Sequence, residues 1–114
     1  MNKRYRLRNN ADFEKVYKYG RSLVNKNLVL KYKRADFSLL RFGFSVSKKY
    51  GKAVLRNRIR RQLKDIVQKR ILRVKSGYDF VFLVRKEAKN ANYADLEQAV
   101  DNLLKRAKVI EDVL

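Results

Sequence analysis

A chain of 114 residues with 46% apolar side chains has the size and core material of one domain, and its 30 Lys and Arg against 11 Asp and Glu give a formal charge of +19 that calls for a polyanionic partner. The absence of Cys and His excludes a disulfide framework, a thiolate metal site and the usual general base at neutral pH, and points to a reducing compartment, the cytoplasm. No run of about 18 apolar residues occurs and the opening MNKRYRLRNN lacks the apolar stretch of a signal peptide, so neither a membrane segment nor a membrane partner is expected.

The charge is unevenly spread. Residues 1–75 hold 24 basic and 4 acidic side chains, a balance of +20, whereas residues 76–114 hold 6 and 7, so the first two thirds of the chain should meet the partner. Within that part, residues 11–19 read as a short helix: Asn9 and Asn10 are N-cap types, Asp12 and Glu14 suit a first turn, and Gly20 suits a stop. Phe13, Val16 and Tyr17 share one face of it. Residues 22–33 read as extended, with Asn25 to Asn27 as a turn or bulge and with Leu28, Leu30 and Tyr32 alternating against Val29, Lys31 and Lys33. After a connection at 34–38, the run RFGFSVS from Arg41 to Ser47 sends Phe42, Phe44 and Val46 toward a core and leaves Arg41, Gly43, Ser45 and Ser47 on a small, polar face.

The stretch GKAVLRNRIRRQLKD, Gly51 to Asp65, follows. At about 100° per residue Leu55, Ile59, Leu63, Ile66 and Val67 form an apolar stripe, and Arg56, Asn57, Arg60, Arg61 and Lys64 fall on an adjoining arc, with Arg58 on the far flank. The helix is expected to continue to about Val74, where Ser76 and Gly77 break it before a strand from Tyr78 to Arg85. Strand, helix, strand makes a βαβ crossover, so these two strands should be parallel. A last helix is expected from Tyr93 to about Ile110, capped by Asn92 with Asp95 and burying Leu96, Ala99, Val100, Leu103, Ala107 and Ile110.

Arg56, Arg60 and Lys64 stand at i,i+4 spacing, where like charges destabilise an isolated helix by about 0.2 to 0.5 kcal/mol per pair. A solvated face would carry interleaved Glu, yet only Asp65 offsets this arc. Arg offers a planar fork for phosphate oxygens, and Asn57 can both donate and accept at a base edge or ribose. The pattern fits a helix laid along structured RNA.

The run FSVSKKYGKAVLRNRIRRQLKD resembles the signature of the protein subunit of bacterial ribonuclease P, in which a small-polar strand ending in Ser-Lys-Lys leads into a helix opening with Arg-Asn-Arg. The upstream NADFEKVYKYG is similar to that family's first helix and VFLVRK to its last strand. The resemblance implies an α+β fold: one two-layer RNA-binding domain over residues 1–114, in the order αβββαβα, with a mixed sheet and a likeness to ribosomal-protein folds. It also implies a left-handed βαβ crossover, where the general rule would choose the right hand. For function it implies the protein component of a ribonucleoprotein endonuclease that removes the 5′ leader from precursor tRNA. The catalytic magnesium ions would be bound by the partner RNA, and the protein would supply no catalytic residue and bind no small-molecule cofactor.

Carried over position by position, the resemblance assigns Lys48, Lys49, Lys52, Arg56, Asn57, Arg58, Arg60, Arg61 and Lys64 to the catalytic RNA. Asn57 is the one place where it would put a metal ion near the protein. It assigns Phe13, Tyr17, Val29, Lys31, Ser45, Ser47, Arg85 and Lys86 to a cleft for the single-stranded leader, where aromatic stacking and basic groups act together. Two positions depart from the family pattern. Lys31 stands where many relatives carry an aromatic, which would make one contact electrostatic or shift it to Tyr32, and Glu87 replaces a common Pro. A ribosomal protein or a general RNA-binding protein of similar fold is the alternative reading.

Overall fold

The computed structural model describes residues 1–111. Helix α1 (Asn10–Tyr19) leads into the hairpin of β1 (Arg21–Val24) and β2 (Leu28–Arg34); β3 (Leu40–Val46), α2 (Ala53–Gln68), β4 (Tyr78–Val84) and α3 (Tyr93–Arg106) follow. The expected αβββαβα order is therefore present. The sheet runs β1-β2-β4-β3, with β1–β2 and β2–β4 antiparallel and β3–β4 parallel, as a strand-helix-strand connection requires.

Alternation along the strands decides what each face carries. Leu28 and Leu30, Phe42, and Phe80 and Phe82 all lie on one face, where α2 contributes Ile59, Leu63, Ile66 and Val67 and α3 contributes Leu96, Val100, Leu103 and Leu104. Phe42 and Phe80, partners in the β3–β4 register, stack at 5.0 Å. Among the described residues, α1 is the one α-helix on the other face. Val16 packs there with Val81 and Leu7 in a smaller cluster, bordered by Phe13 and Leu83. The N-terminal strand-like segment reaches that cluster along the β3 edge, where Arg6 bridges to Phe42 and the Leu7 amide donates to the Phe42 carbonyl.

Capping follows the sequence closely. The Asn9 side chain accepts from the Ala11 amide at the start of α1, and Asn92 and Asp95 form a reciprocal capping box at the start of α3. Asn25 makes the β1–β2 turn: its side-chain Oδ1 accepts from the amides of Asn27 and Leu28, and its side-chain Nδ2 donates to the Ala99 carbonyl of α3. Gly20 has an ordinary φ of −79°, but a Cβ there would collide with the carbonyls of Val16 and Tyr32. Close approach, not a left-handed turn, requires the glycine.

Both long helices end before the periodicity suggests. Helix α2 stops at Gln68 because Arg70 turns inward: it donates to the Ile66 carbonyl, pairs with Asp101 and Glu97 of α3, and leaves only a short 3₁₀ turn at Ile71–Arg73. Helix α3 stops at Arg106, where Lys108 adopts a left-handed φ of 60°, and Ile110 instead bridges to Val74. Ala107 and Ile110 are accordingly half-buried outside the helix, while Leu104 takes a core place that the expected stripe omitted. Leu55, expected in the α2 stripe, is 46% exposed and lies over Gly51 at the entrance to the helix.

Candidate nucleic-acid interface

The parallel pairing of β3 with β4 places α2 along the β3 side of the sheet, with its cationic residues pointing away from the core. Lys48, Lys49, Lys52, Asn57, Arg58 and Arg61 are exposed, and Arg56, Arg60 and Lys64 are half-buried. None of these eight cations pairs with an acidic group among the described residues. Three local features hold them in place. Ser47 caps the 3₁₀ turn Lys48–Tyr50 by accepting from the Lys49 amide, Arg56 donates to the Gly51 carbonyl at 3.2 Å, and Arg60 donates to Asn57 Oδ1 at 2.7 Å.

The start of α2 adds to the positive field. Lys52 caps it without a side-chain hydrogen bond and its first turn holds no acidic residue. The free N–H groups and the positive end of the helix dipole therefore add to the field of the lysines around them. Burial, and then the charges of Arg6 and Arg60, push the Lys64 ammonium below the ordinary lysine value. A folded chain that tolerates such crowding has a surface that phosphates would relax.

The cations do not form one uniform row. Arg60 and Lys64 line a recess with Arg6, Arg8, Phe13, Phe42, Gly43 and Phe44, whereas Arg58 lies across the helix beside Tyr50, Gln62, Lys89 and Tyr93. Arg6 and Arg8 were not among the expected residues. The signal lay in the basic N-terminus, but only the Arg6–Phe42 bridge brings that segment to α2.

On the α1 face of the sheet, the β3–β4 and β2–β4 registers align Ser45, Leu83 and Val29 in one row and Gly43, Val81 and Lys31 in the next. Gly43 seats Phe13, whose ring fills the space a Cβ would need. The Phe13 and Tyr17 rings stand 6.2 Å apart and tilted, and Lys31 Nζ lies 5.6 Å from the Tyr17 ring. Tyr17 is 39% exposed, more than packing against the small α1 cluster requires. A cleft of about 400 Å³ runs between Asn10, Phe13, Glu14 and Tyr17 on α1 and Phe44, Ser45 and Val46 on β3, with Arg60 of α2 also in its lining. The basic helix and the aromatic cleft are thus joined through Arg60, a junction that sequence spacing did not reveal.

The structure brings together Phe13, Tyr17, Val29, Lys31 and Ser45, and commits two of the other expected cleft residues elsewhere. Ser47 is the cap described above. The Arg85 guanidinium donates to the carbonyls of Asn25 (2.7 Å) and Lys26 (3.2 Å) and lies 3.7 Å from Glu87, so it fastens the hairpin turn. Lys86 is exposed at the start of a short 3₁₀ turn. Tyr32 faces the other side of the sheet, beside Tyr78 and Phe80, and cannot take over a contact from Lys31. Leu83, half-buried at the centre of the cleft row, was not anticipated. Arg41 from the same face forms a two-point pair with Asp79 at 2.8 Å and reaches Asp12 at 3.4 Å, which fixes the start of α1 on the sheet.

At the position where a metal ion was expected near the protein, Asn57 Oδ1 accepts from Arg60 at 2.7 Å, and among the described residues no group of three or more Asp or Glu side chains converges. Nor, among the described residues, is any helix long and apolar enough to cross a membrane.

Comparison with known proteins agrees with this fold. The family model described as Ribonuclease P matches residues 1–108. The ribonuclease P protein component of Clostridioides difficile (strain 630) is 42% identical over 104 residues, which cover 90% of this chain and 91% of that protein. That of Alkaliphilus oremlandii is 39% identical over 109 residues, 96% of each. Among solved structures, the RNase P protein of Staphylococcus aureus superposes with a TM-score of 0.82 at 32% identity, covering 94% of this chain and 98% of that one. The RNase P protein of Thermotoga maritima gives 0.80 at 31% identity, with the same two coverages.

Proposed function

The chain belongs to the ribonuclease P protein family, and from that premise we propose that its two joined surfaces hold two RNAs at once. Members of the family are protein components of the ribonucleoprotein enzyme that processes the 5′ end of tRNA. In this reading Lys48, Lys49, Lys52, Arg56, Asn57, Arg58, Arg60, Arg61 and Lys64 face the catalytic RNA subunit, and Phe13, Tyr17, Val29, Lys31 and Ser45, with Lys86 nearby, receive the 5′ leader of precursor tRNA. Residues 1–114 act as one RNA-binding domain in the cytoplasm.

The observation that carries the proposal is the set of eight cations without acidic partners among the described residues, contiguous through Arg60 with a cleft lined by two aromatic rings. Phosphate contacts position an RNA, and stacking on Phe13 and Tyr17 grips an unpaired strand without demanding a sequence. Arg60 ties one to the other, so a leader in the cleft lies beside the RNA on α2. Lys31 supplies charge where a ring would supply stacking. The catalytic magnesium is assigned to the RNA. The chain orients substrate, neutralises phosphates and leaves bond breaking to the RNA partner.

Reconstitution at low magnesium tests this reading. The chain added to the cognate catalytic RNA should restore cleavage of precursor tRNA that the RNA alone performs poorly. Cleavage by the purified chain after exhaustive removal of RNA would overturn it.

A further inference from the structure

A second aromatic and basic cleft lies at the other end of α1. Tyr19, Arg21, Tyr32, Lys33, Arg34 and Tyr78 line a recess of about 420 Å³, in which no acidic side chain takes part. Tyr19 is 65% exposed, with Lys18 Nζ 5.4 Å from its ring, and the Arg34 guanidinium lies 5.8 Å from the Tyr78 ring. Arg21, Lys33 and Arg34 have no acidic partner, and the hydroxyls of Tyr19, Tyr32 and Tyr78 have no hydrogen-bond partner, among the described residues. Tyr32 and Tyr78 rest on the Phe80 side of the core, which explains their rings but not the open Tyr19 or the three cations around them.

We propose that this recess is a second contact for single-stranded RNA, taking nucleotides of a long 5′ leader upstream of those held beside Phe13 and Tyr17. The proposal rests on the leader reading of the first cleft. Ring faces and guanidinium groups around an open recess are the chemistry that holds unpaired bases and their phosphates. Lys31 and Lys33 alternate onto the α1 side of β2, about 7 Å apart, whereas Arg21, Tyr32, Arg34 and Tyr78 share the opposite face by register, so the recess wraps the sheet edge where α1 turns into β1. A strand leaving the first cleft past Lys31 meets Lys33 next and rounds that edge to reach Tyr19 and Arg34.

The test compares precursor tRNAs with short and long leaders, bound by holoenzyme reconstituted with wild-type chain, Tyr19→Leu, Tyr19→Phe, Arg34→Gln or Phe13→Ala. Tyr19→Leu should lose the affinity gained from the longer leader, by about 5- to 100-fold, while its short-leader affinity stays at the wild-type level. Tyr19→Phe should keep most of the gain, and Arg34→Gln should lower it and flatten its salt dependence. Long-leader affinity unchanged in Tyr19→Leu would overturn the proposal, as would an equal loss for both leaders or weaker binding to the catalytic RNA without substrate. Phe13→Ala reports separately: if it leaves short-leader affinity intact, the first cleft is misassigned, whatever Tyr19 shows.

Discussion

Replacing Arg60 and Arg61 together by Gln removes two of the eight α2-region cations that lack an acidic partner among the described residues. With each of the eight neutralising one phosphate, log K for the catalytic RNA falls with log salt at a slope of about −7, because each contact contributes about −0.9. Raising salt from about 50 to 200 mM then weakens wild-type binding about 10⁴-fold. Six remaining contacts give a slope of about −5 and a loss of about 10³-fold over the same range. The assay is anisotropy of labelled catalytic RNA across a salt series, without substrate because Arg60 also lines the aromatic cleft. Phe13→Ala, which removes no charge, should reproduce the wild-type slope. An unchanged slope in the double variant would mean that these arginines touch no phosphate, and the assignment of α2 would fail.

Other outcomes follow from single contacts. Gly43→Ala places a methyl inside the Phe13 ring, so it should cost about 1 to 3 kcal/mol in urea unfolding and lower leader discrimination as Phe13→Ala does. Normal discrimination in that variant would make the ring's position irrelevant to substrate. Lys64 is held below its unfolded-state pKa, so its ammonium opposes folding at every pH below the folded value, and the penalty fades as pH rises through that value. Lys64→Met should therefore raise the urea midpoint at neutral pH, by an amount that shrinks in alkali, while weakening catalytic-RNA binding; a lower midpoint at neutral pH would contradict the sign. Arg70→Met strands Asp101 and Glu97 between α2 and α3, which should cost about 2 to 3 kcal/mol, between the values of exposed and buried pairs, with RNA affinity per folded molecule unchanged.

What could be read before the structure was local. The alternation of Arg41, Gly43, Ser45 against Phe42, Phe44, Val46 places Ser45 in the cleft, and the same parity along β2 puts Lys31 there and Tyr32 behind it, which already argued against a substitution of one by the other. The caps at Asn9 and Asn92 are short-range patterns of the same sort. What escaped depends on distant partners. Helix α2 ends where Arg70 finds Asp101, and α3 ends where Ile110 finds Val74; neither partner is within one helical turn. Arg85 looks like a free cation in sequence, yet carbonyls about sixty residues away engage it. Arg6 and Arg60 belong to one recess only because an N-terminal bridge docks on β3.

Site-specific photo-crosslinking in the reconstituted holoenzyme tests most directly whether the two surfaces hold different RNAs. A crosslinker at position 61 should label the catalytic RNA with or without substrate, and one at position 17 should label the 5′ leader only when precursor tRNA is present. Labelling of the same RNA from both positions, or of mature and precursor tRNA alike from position 17, would contradict the account.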